Sequence, residues 1–405
     1  MTFAALVQES QQKKEAWRYT KLAAFMPAAL ASPRALKEAL VLPPPLTRHR
    51  LVFVNGAYRE DLSTRQELPD EFFNRCAEKE SCYALTLWAQ TCLAIDPIEL
   101  LFVNTAQGAA NEAETKIKIS LGENSRMTLI ERHMNLVSVK KENTHKNCVI
   151  PAKAGIQSHK NPIESPSPLD PRLRGDDEKG VINARHILME IDLAAQAKLV
   201  HGKIVVGGAD TLHVAQAQVS VAAGAFYDHF AMIIDGKCVR CEKEVALHGA
   251  LAEARFAGVM LLRGGAHGDM TTLVRHLAPH GLSRQICKTV LDDKARGVFQ
   301  GKVHVAPHAQ KTDACQTCRA LLLSDAGEMD AKPELEIYAD DVKCSHGTAI
   351  GDLDENALFY LLSRGIDEGT ARAMLIEAFA GEVVDALQSP ELMSAVKREV
   401  DGWLA

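Results

Sequence analysis

The sequence predicts a mainly β chain, a β-helix flanked by helical domains at both ends, and three observations carry that prediction. From Thr115 onward the chain reads as short apolar runs bounded by glycine, Asp or Asn, with no helical periodicity. Among these runs are KIKISL, KIVVGG, FAMIIDG, FAGVMLLRGG, KVHVAPH and LEIYADDV. Before them, Trp17, Leu22 and Phe25 fall near helical spacing, and after Gly351 three segments do so again. Many short strands divided by turn-rich gaps suit a sandwich, a barrel or a β-helix. Continuous runs such as VMLL and ALLL spoil strict alternation, and loosely similar segments without an exact repeat favour stacked coils over a sandwich.

Along the chain, the opening helical reading extends to about residue 40 and is stopped by Pro43, Pro44 and Pro45. RLVFVNGAYRE reads as a strand and a turn on Asn55 and Gly56, and Asp70 to Ile95 as a helical stretch. Residues 1–112 are therefore expected to form a mostly helical domain and residues 113–350 the β-helix. Within the latter, the segment from about 140 to 180 is an exception. Its core, 147–180, is proline-rich and charged and too poor in apolar residues to offset its ordering entropy, so a disordered loop is expected. Residues 351–405 read as three helices. Asp354 caps the first, Gly365 ends it, and Ser389 with Pro390 opens the last. Their apolar faces are wide, so part of that surface is expected to pack on the solenoid end or on a second protein.

Composition excludes several classes of function. Forty-six basic against 52 acidic residues give a formal charge of −6 with no basic run, which offers nucleic acid no electrostatic footprint. The most apolar window, YALTLWAQTCLAI, is interrupted by Gln90 and falls short of the about 18 residues that span a bilayer. No secretory signal opens the chain, so a cytoplasmic location is expected and the ten cysteines are expected to be reduced. GVFQGKV, residues 297–303, lacks the glycine spacing and the hydroxyl residue of a phosphate-binding loop.

Three candidate sites remain. In EIYADDVKCSHG, residues 336–347, an extended backbone would put Asp340, Val342, Cys344 and His346 on one face and Asp341, Lys343 and Ser345 on the other. Cys344 and His346 would then be neighbours, as a soft-metal ligand pair, as a nucleophile with its base, or as the polar end of a strand. Cys238 with Cys241 and Cys315 with Cys318 form two CxxC pairs, and a self-contained zinc-binding metalloprotein is the alternative reading they support, with His304 and His308 nearby. The second pair, however, lies well beyond the about 15 to 20 residues usual in zinc ribbons. The remaining histidines, His267, His276 and His280, read as exposed turn residues. A carbohydrate-cleaving β-helix would want an aromatic-lined groove, for which 5% aromatic content supplies little.

Beyond these residue-level readings, AQKTDACQTCRALLLS, KPELEIYADDVKCSHGTAIGDLDENALFYLLSRGI and ARAMLIEAFAGEVV resemble the SufB/SufD family of the bacterial SUF iron–sulfur system. Weaker likeness runs through EAWRYTKL, LVFVNGAYRE and MTLIERH. The resemblance implies a right-handed parallel β-helix with helical ends. It implies a non-enzymatic subunit of a cytoplasmic complex, paired with a SufB-like paralogue and docked to a SufC-like ATPase that hydrolyses ATP. It further implies that Phe359, Tyr360, Leu361 and Arg364 meet that ATPase. Cys344 and His346 would lie at the interface of the two solenoids, where the His is implicated in cluster formation. No cofactor is expected to be held tightly by this chain alone, although a transient iron–sulfur cluster at the interface is. Cys318 stands where the family has Asn, and Cys315 is not a family cysteine, so the second CxxC pair departs from the pattern.

Overall fold

A computed structural model describes residues 3–13, 15–27, 40, 42–65, 73–79, 82–105, 111–136 and 182–405. The expected disordered loop, including all of 147–180, lies outside the described residues. From Asn111–Leu121 onward, successive strands alternate between a ten-stranded and a nine-stranded sheet, and each pairs in parallel with the strand two places before it and, short of the last coil, with the strand two places after it; the strands before that open with two antiparallel pairs, one in each sheet. Thus Thr211–Val221 lies between Asn183–Leu193 and Cys238–Leu247, and Phe226–Ile234 lies between Lys198–Val206 and Glu253–Leu262. The chain is a parallel β-solenoid with helices at its ends, in agreement with the stacked-coil reading.

A repeated corner holds the coils in register. Asn124, Gln196, Leu251, His280 and Lys311 all have φ between 57° and 63°, in the left-handed region, and Gly224 stands in the same column at 62°. Each donates its N–H to a carbonyl of the next coil: Asn124 to Ala195, Gln196 to Ala223, Gly224 to Ala250, Leu251 to Pro279, His280 to Gln310 and Lys311 to Asp341. A non-glycine residue pays for this conformation. Here the ladder of corner hydrogen bonds offsets that cost.

Between the sheets, inward side chains form a core from Leu51 and Phe53 to Phe299 and Cys318. The two outer faces are also covered. Against the ten-stranded sheet lie two C-terminal helices, Glu368–Val384 and Pro390–Leu404, whose Ile376, Val383, Leu392, Val396 and Trp403 pack on Ile204, Phe230, Met232, Val259 and Leu261. This double covering explains the continuous apolar runs. In VMLL, Met260 and Leu262 face the lumen while Val259 and Leu261 face the helices, and a strand buried on both sides need not alternate.

The nine-stranded sheet is covered in part by the N-terminal arm. Phe3, Leu6, Trp17 and Leu22 pack on Ala184, Leu212, Val214 and Cys238. Among the described residues of this arm only Phe3–Gln12 is α-helix; residues 15–27 run in turns with one 3₁₀ turn, Leu22–Ala24, so the helix expected to reach about 40 is not continuous. The arm is held by the sheet's side chains rather than by its own backbone ladder. Arg240 and Gln300 both donate to the Ala16 carbonyl, and the Arg240 guanidinium lies 4.2 Å above the Trp17 ring.

Residues 1–112 are not a mostly helical domain. The solenoid begins with His49–Val54, and the expected helix from Asp70 to Ile95 contains the strands Phe73–Lys79 and Cys82–Ala89. Leu85, Leu87 and Ala89 are buried inward while Trp88 is 47% exposed, so the period in YALTLWAQ is two, not 3.6. Asn55 and Gly56, at φ 50° and 85°, do form the turn of a hairpin, with Val54 opposite Ala57. At the other end Asp354 accepts from the N–H groups of Asn356 and Ala357, Gly365 has φ 85°, and Ser389 accepts from Leu392 N–H. These are the starts and stops that the sequence predicts for Glu355–Ser363 and Pro390–Leu404.

Candidate functional site

EIYADDVKCSHG is not one extended stretch. It finishes the strand Glu328–Ile337 of one sheet, turns a corner and begins Lys343–Gly351 of the other. Asp340 therefore sits in the corner and does not share a strand face with Cys344 and His346. Asp341 pairs with Lys311 of the preceding coil, and its N–H donates to Gln310 Oε1 at 2.9 Å, so its work is to shape the corner.

Cys344 and His346 are alternate residues of the last strand and project to one side of it. Cys344 lies beside Ala314 and His346 beside Gln316, and Ala314 and Gln316 are buried, at 1% and 0% exposure. The two side chains thus continue the lumen-facing columns into the final coil, where no further strand among the described residues stacks on them. His346 is exposed and Cys344 half-buried against Val303, Val305 and Ala314. Burial, and to a lesser degree the Asp313 carboxylate, pushes the Cys344 thiol above its ordinary pKa. A raised thiol pKa opposes a thiolate nucleophile in the isolated chain.

Around this pair the solenoid end is open. Among the described residues Lys343–Gly351 pairs only with Asp313–Leu322, and Glu328–Ile337 only with Arg296–Val305. Two strand edges therefore present unpaired backbone groups. Ile337, Tyr338 and Ile350 are 39%, 60% and 46% exposed there. The next element, Glu355–Ser363, buries no residue at all: Phe359 is 72% exposed and Tyr360 56%, with the Arg364 guanidinium 5.0 Å from the Tyr360 ring. Leu361 is half-buried, whereas its neighbour Leu362 is exposed. Sequence reasoning passed over Tyr338 and Ile350; the bulky aromatic beside a double Asp was the signal that could have found the first.

The CxxC pairs do not make a zinc site. On a strand, residues i and i+3 point to opposite faces. Cys238 accordingly packs outward under the N-terminal arm while Cys241 faces the lumen, and Cys315 is partly exposed while Cys318 is buried inside. His308 is exposed and bonded to the Leu277 carbonyl at 2.8 Å, and His304 lies against the Tyr338 ring. Among the described residues no group of three or more His, Cys, Asp or Glu side chains is placed to hold a metal ion. GVFQGKV lies within the strand Arg296–Val305 and forms no loop.

Two histidines expected in exposed turns are buried on the strand His267–His276. His267 Nε2 meets Thr20 Oγ1 at 2.9 Å, and His276 Nε2 meets Ser283 Oγ at 2.8 Å. His280 is an exposed corner residue. No helix among the described residues is long and apolar enough to cross a membrane.

Comparison with known proteins places this geometry in context. The family model described as "SUF system FeS cluster assembly, SufBD core domain" matches residues 175–379. The iron–sulfur cluster assembly protein SufD of Escherichia coli (strain K12) is 30% identical over 398 residues, covering 95% of this chain and 87% of the relative. An iron–sulfur cluster assembly SufBD family protein of Synechocystis sp. is 25% identical, covering 96% of this chain and 86% of its own. Protein ABCI7, chloroplastic, of Arabidopsis thaliana is 33% identical over 57% of this chain and 48% of its own.

Proposed function

Because this chain belongs to the SufBD core family of the SUF iron–sulfur cluster assembly system, we propose that it is a SufD-type, non-catalytic subunit of a cytoplasmic assembly complex. In this reading its open solenoid end pairs edge to edge with a SufB-like paralogue. The helix Glu355–Ser363, with Phe359, Tyr360, Leu361 and Arg364, docks a SufC-like ATPase. The observation that carries the proposal is the open end itself. Two unpaired strand edges, exposed Ile337, Tyr338 and Ile350, and an adjoining helix with no buried residue form one continuous unsatisfied region. Soluble chains rarely leave such surface bare without a partner.

ATP-driven closure of paired ATPases would shift the two solenoids and expose their shared rung. Cys344 Sγ, once deprotonated, and the His346 ring nitrogen would then meet nascent iron and sulfide, the cargo of the complex. Thiolate and neutral imidazole are the competent donors for that chemistry. The raised thiol pKa fits a gated role, in which iron displaces the proton only after the interface opens.

The test is co-expression with SufB-like and SufC-like partners. A three-component complex is expected, together with His346→Ala complexes that assemble normally but yield fewer clusters by visible absorption. Failure to isolate any complex, or unchanged cluster yield with His346→Ala, would overturn the reading.

A further inference from the structure

The solenoid lumen carries an unbalanced charge. Arg185, Lys203 and Lys243 face inward and are each no more than 5% exposed, while Glu131 is the one buried carboxylate on that face among the described residues. Glu131 is already engaged by three other groups. It pairs with Lys203 Nζ at 2.9 Å and accepts from His133 Nε2 at 3.1 Å and from His201 Nε2. Lys243 has no hydrogen bond or ion pair among the described residues. Burial, then repulsion from Lys203, lowers its pKa to about 8, which leaves it mostly cationic at neutral pH.

Lys243 lines a cavity of about 30 Å³ together with His229, Met270, Thr272, Gln285 and Cys287. Two other polar groups there are unspent. Thr272 Oγ1 donates to Gln285 Oε1 at 2.6 Å, which leaves the buried Gln285 Nε2 without a partner. His229 Nδ1 lies 2.7 Å from the His201 carbonyl and must therefore carry its proton, so the buried Nε2, also unpartnered, is a bare acceptor suited to one ammonium hydrogen. The lining adds polarisable sulfur, with Cys287 Sγ and Met270 Sδ 4.0 Å apart. Water could satisfy these dipoles, but it would not balance an ammonium whose burial costs several kcal/mol unless a counter-charge joins it.

A column of amides leads out of the cavity. Gln285 pairs in register with Gln316, and Gln316 with His346 of the last rung. Both side-chain polar atoms of Gln316 are buried and unpartnered.

We propose that this cavity binds one small monovalent anion, of halide or hydrosulfide size, between the Lys243 ammonium and the Gln285 amide, and admits it along the Gln316 column from the open end. The site stands on the lumen's own charge balance and does not depend on the functional reading above.

Crystals of the full chain soaked in sodium bromide test it directly. A bromine anomalous peak is expected between Lys243 and Gln285, and none in Lys243→Met crystals; an empty cavity in the wild-type crystals overturns the proposal. In solution, bromide is expected to raise the unfolding midpoint above that in sodium gluconate of equal ionic strength, and Lys243→Met to lose that rise. Equal rises in both proteins would overturn the proposal. Pre-soaking with hydrosulfide separates the sources: a weakened bromide peak supports a site shared with sulfide, and an undiminished one supports a halide site.

Discussion

Two helices of the same C-terminal tail meet opposite fates. Pro390–Leu404 buries Leu392, Ala395, Val396, Val400 and Trp403, whereas Glu355–Ser363 buries nothing. Both carry apolar faces, so periodicity alone does not separate them. What separates them is the surface each can reach. The last helix lies where Gly202 leaves the outer sheet flat; a Cβ there would run into the Leu392 side chain. Cations then pin the helical layer. Arg263 stands 4.1 Å from the Trp403 ring centre and donates to the Trp403 carbonyl, while Lys288 donates to the Phe379 carbonyl at 2.7 Å and pairs with Glu382. The first helix lies beside the open rung and has no such seat. The contrast teaches that one tail carries two kinds of surface, seated in its last helix and left bare in its first.

Mutations can break this contrast. The largest effect is expected at Trp403→Ala, which should cost about 3 to 5 kcal/mol of unfolding free energy by denaturant titration, as for other aromatic truncations in a packed layer. A loss no larger than that of a surface residue would show that the last helix is not seated as described. Phe359→Ala is the opposite case. Chain stability should change by less than about 0.5 kcal/mol, while affinity for a SufC-like ATPase should fall about 30-fold, the effect of an anchor worth about 2 kcal/mol. Unchanged affinity in a binding titration would remove this helix from the docking surface.

Acid sharpens the contrast between the buried body and its exposed end. His276 is held down to about 4 and His133 to about 3, chiefly by burial, against 6.5 for the free side chain. Between those values the unfolded chain binds protons that the folded chain refuses. Their stabilising contribution is therefore complete above pH 6.5 and is lost progressively as pH falls below it. From pH 7 to pH 5 His276 alone should account for a loss of about 2 kcal/mol, and His276→Gln should flatten the measured slope by that amount. A slope unaffected by the substitution would contradict the burial argument.

The smallest effects belong to the last rung. Cys344→Ser and His346→Ala should each shift stability by less than about 0.5 kcal/mol, because His346 is exposed and Cys344 only half-buried at the last rung. A loss above about 2 kcal/mol in a thermal scan would mean that these groups hold the coil together rather than wait for a partner.

Much of this was legible because it is local. The left-handed turn at Asn55 and Gly56, the cap at Asp354, the stop at Gly365 and the Ser389-Pro390 start depend on preferences of one or a few residues. The strand runs were legible for the same reason, except in YALTLWAQ, where a short apolar window was read at the wrong period. The CxxC pairs misled because spacing was weighed without conformation, and an extended backbone sends each pair's sulfurs apart. The charged lumen was hidden, since Glu131, Arg185 and Lys243 look like solvent-facing residues of their strands until coil stacking closes over them.

The amino-acid order by itself determined that the body is β and the tail α, and where the C-terminal helices start and stop, because dihedral preference and side-chain period act over a few residues. Only the tertiary structure decided which faces are covered, which charges share the lumen and which rung stays open. Those outcomes depend on registers between residues a full coil apart, and no local preference encodes them.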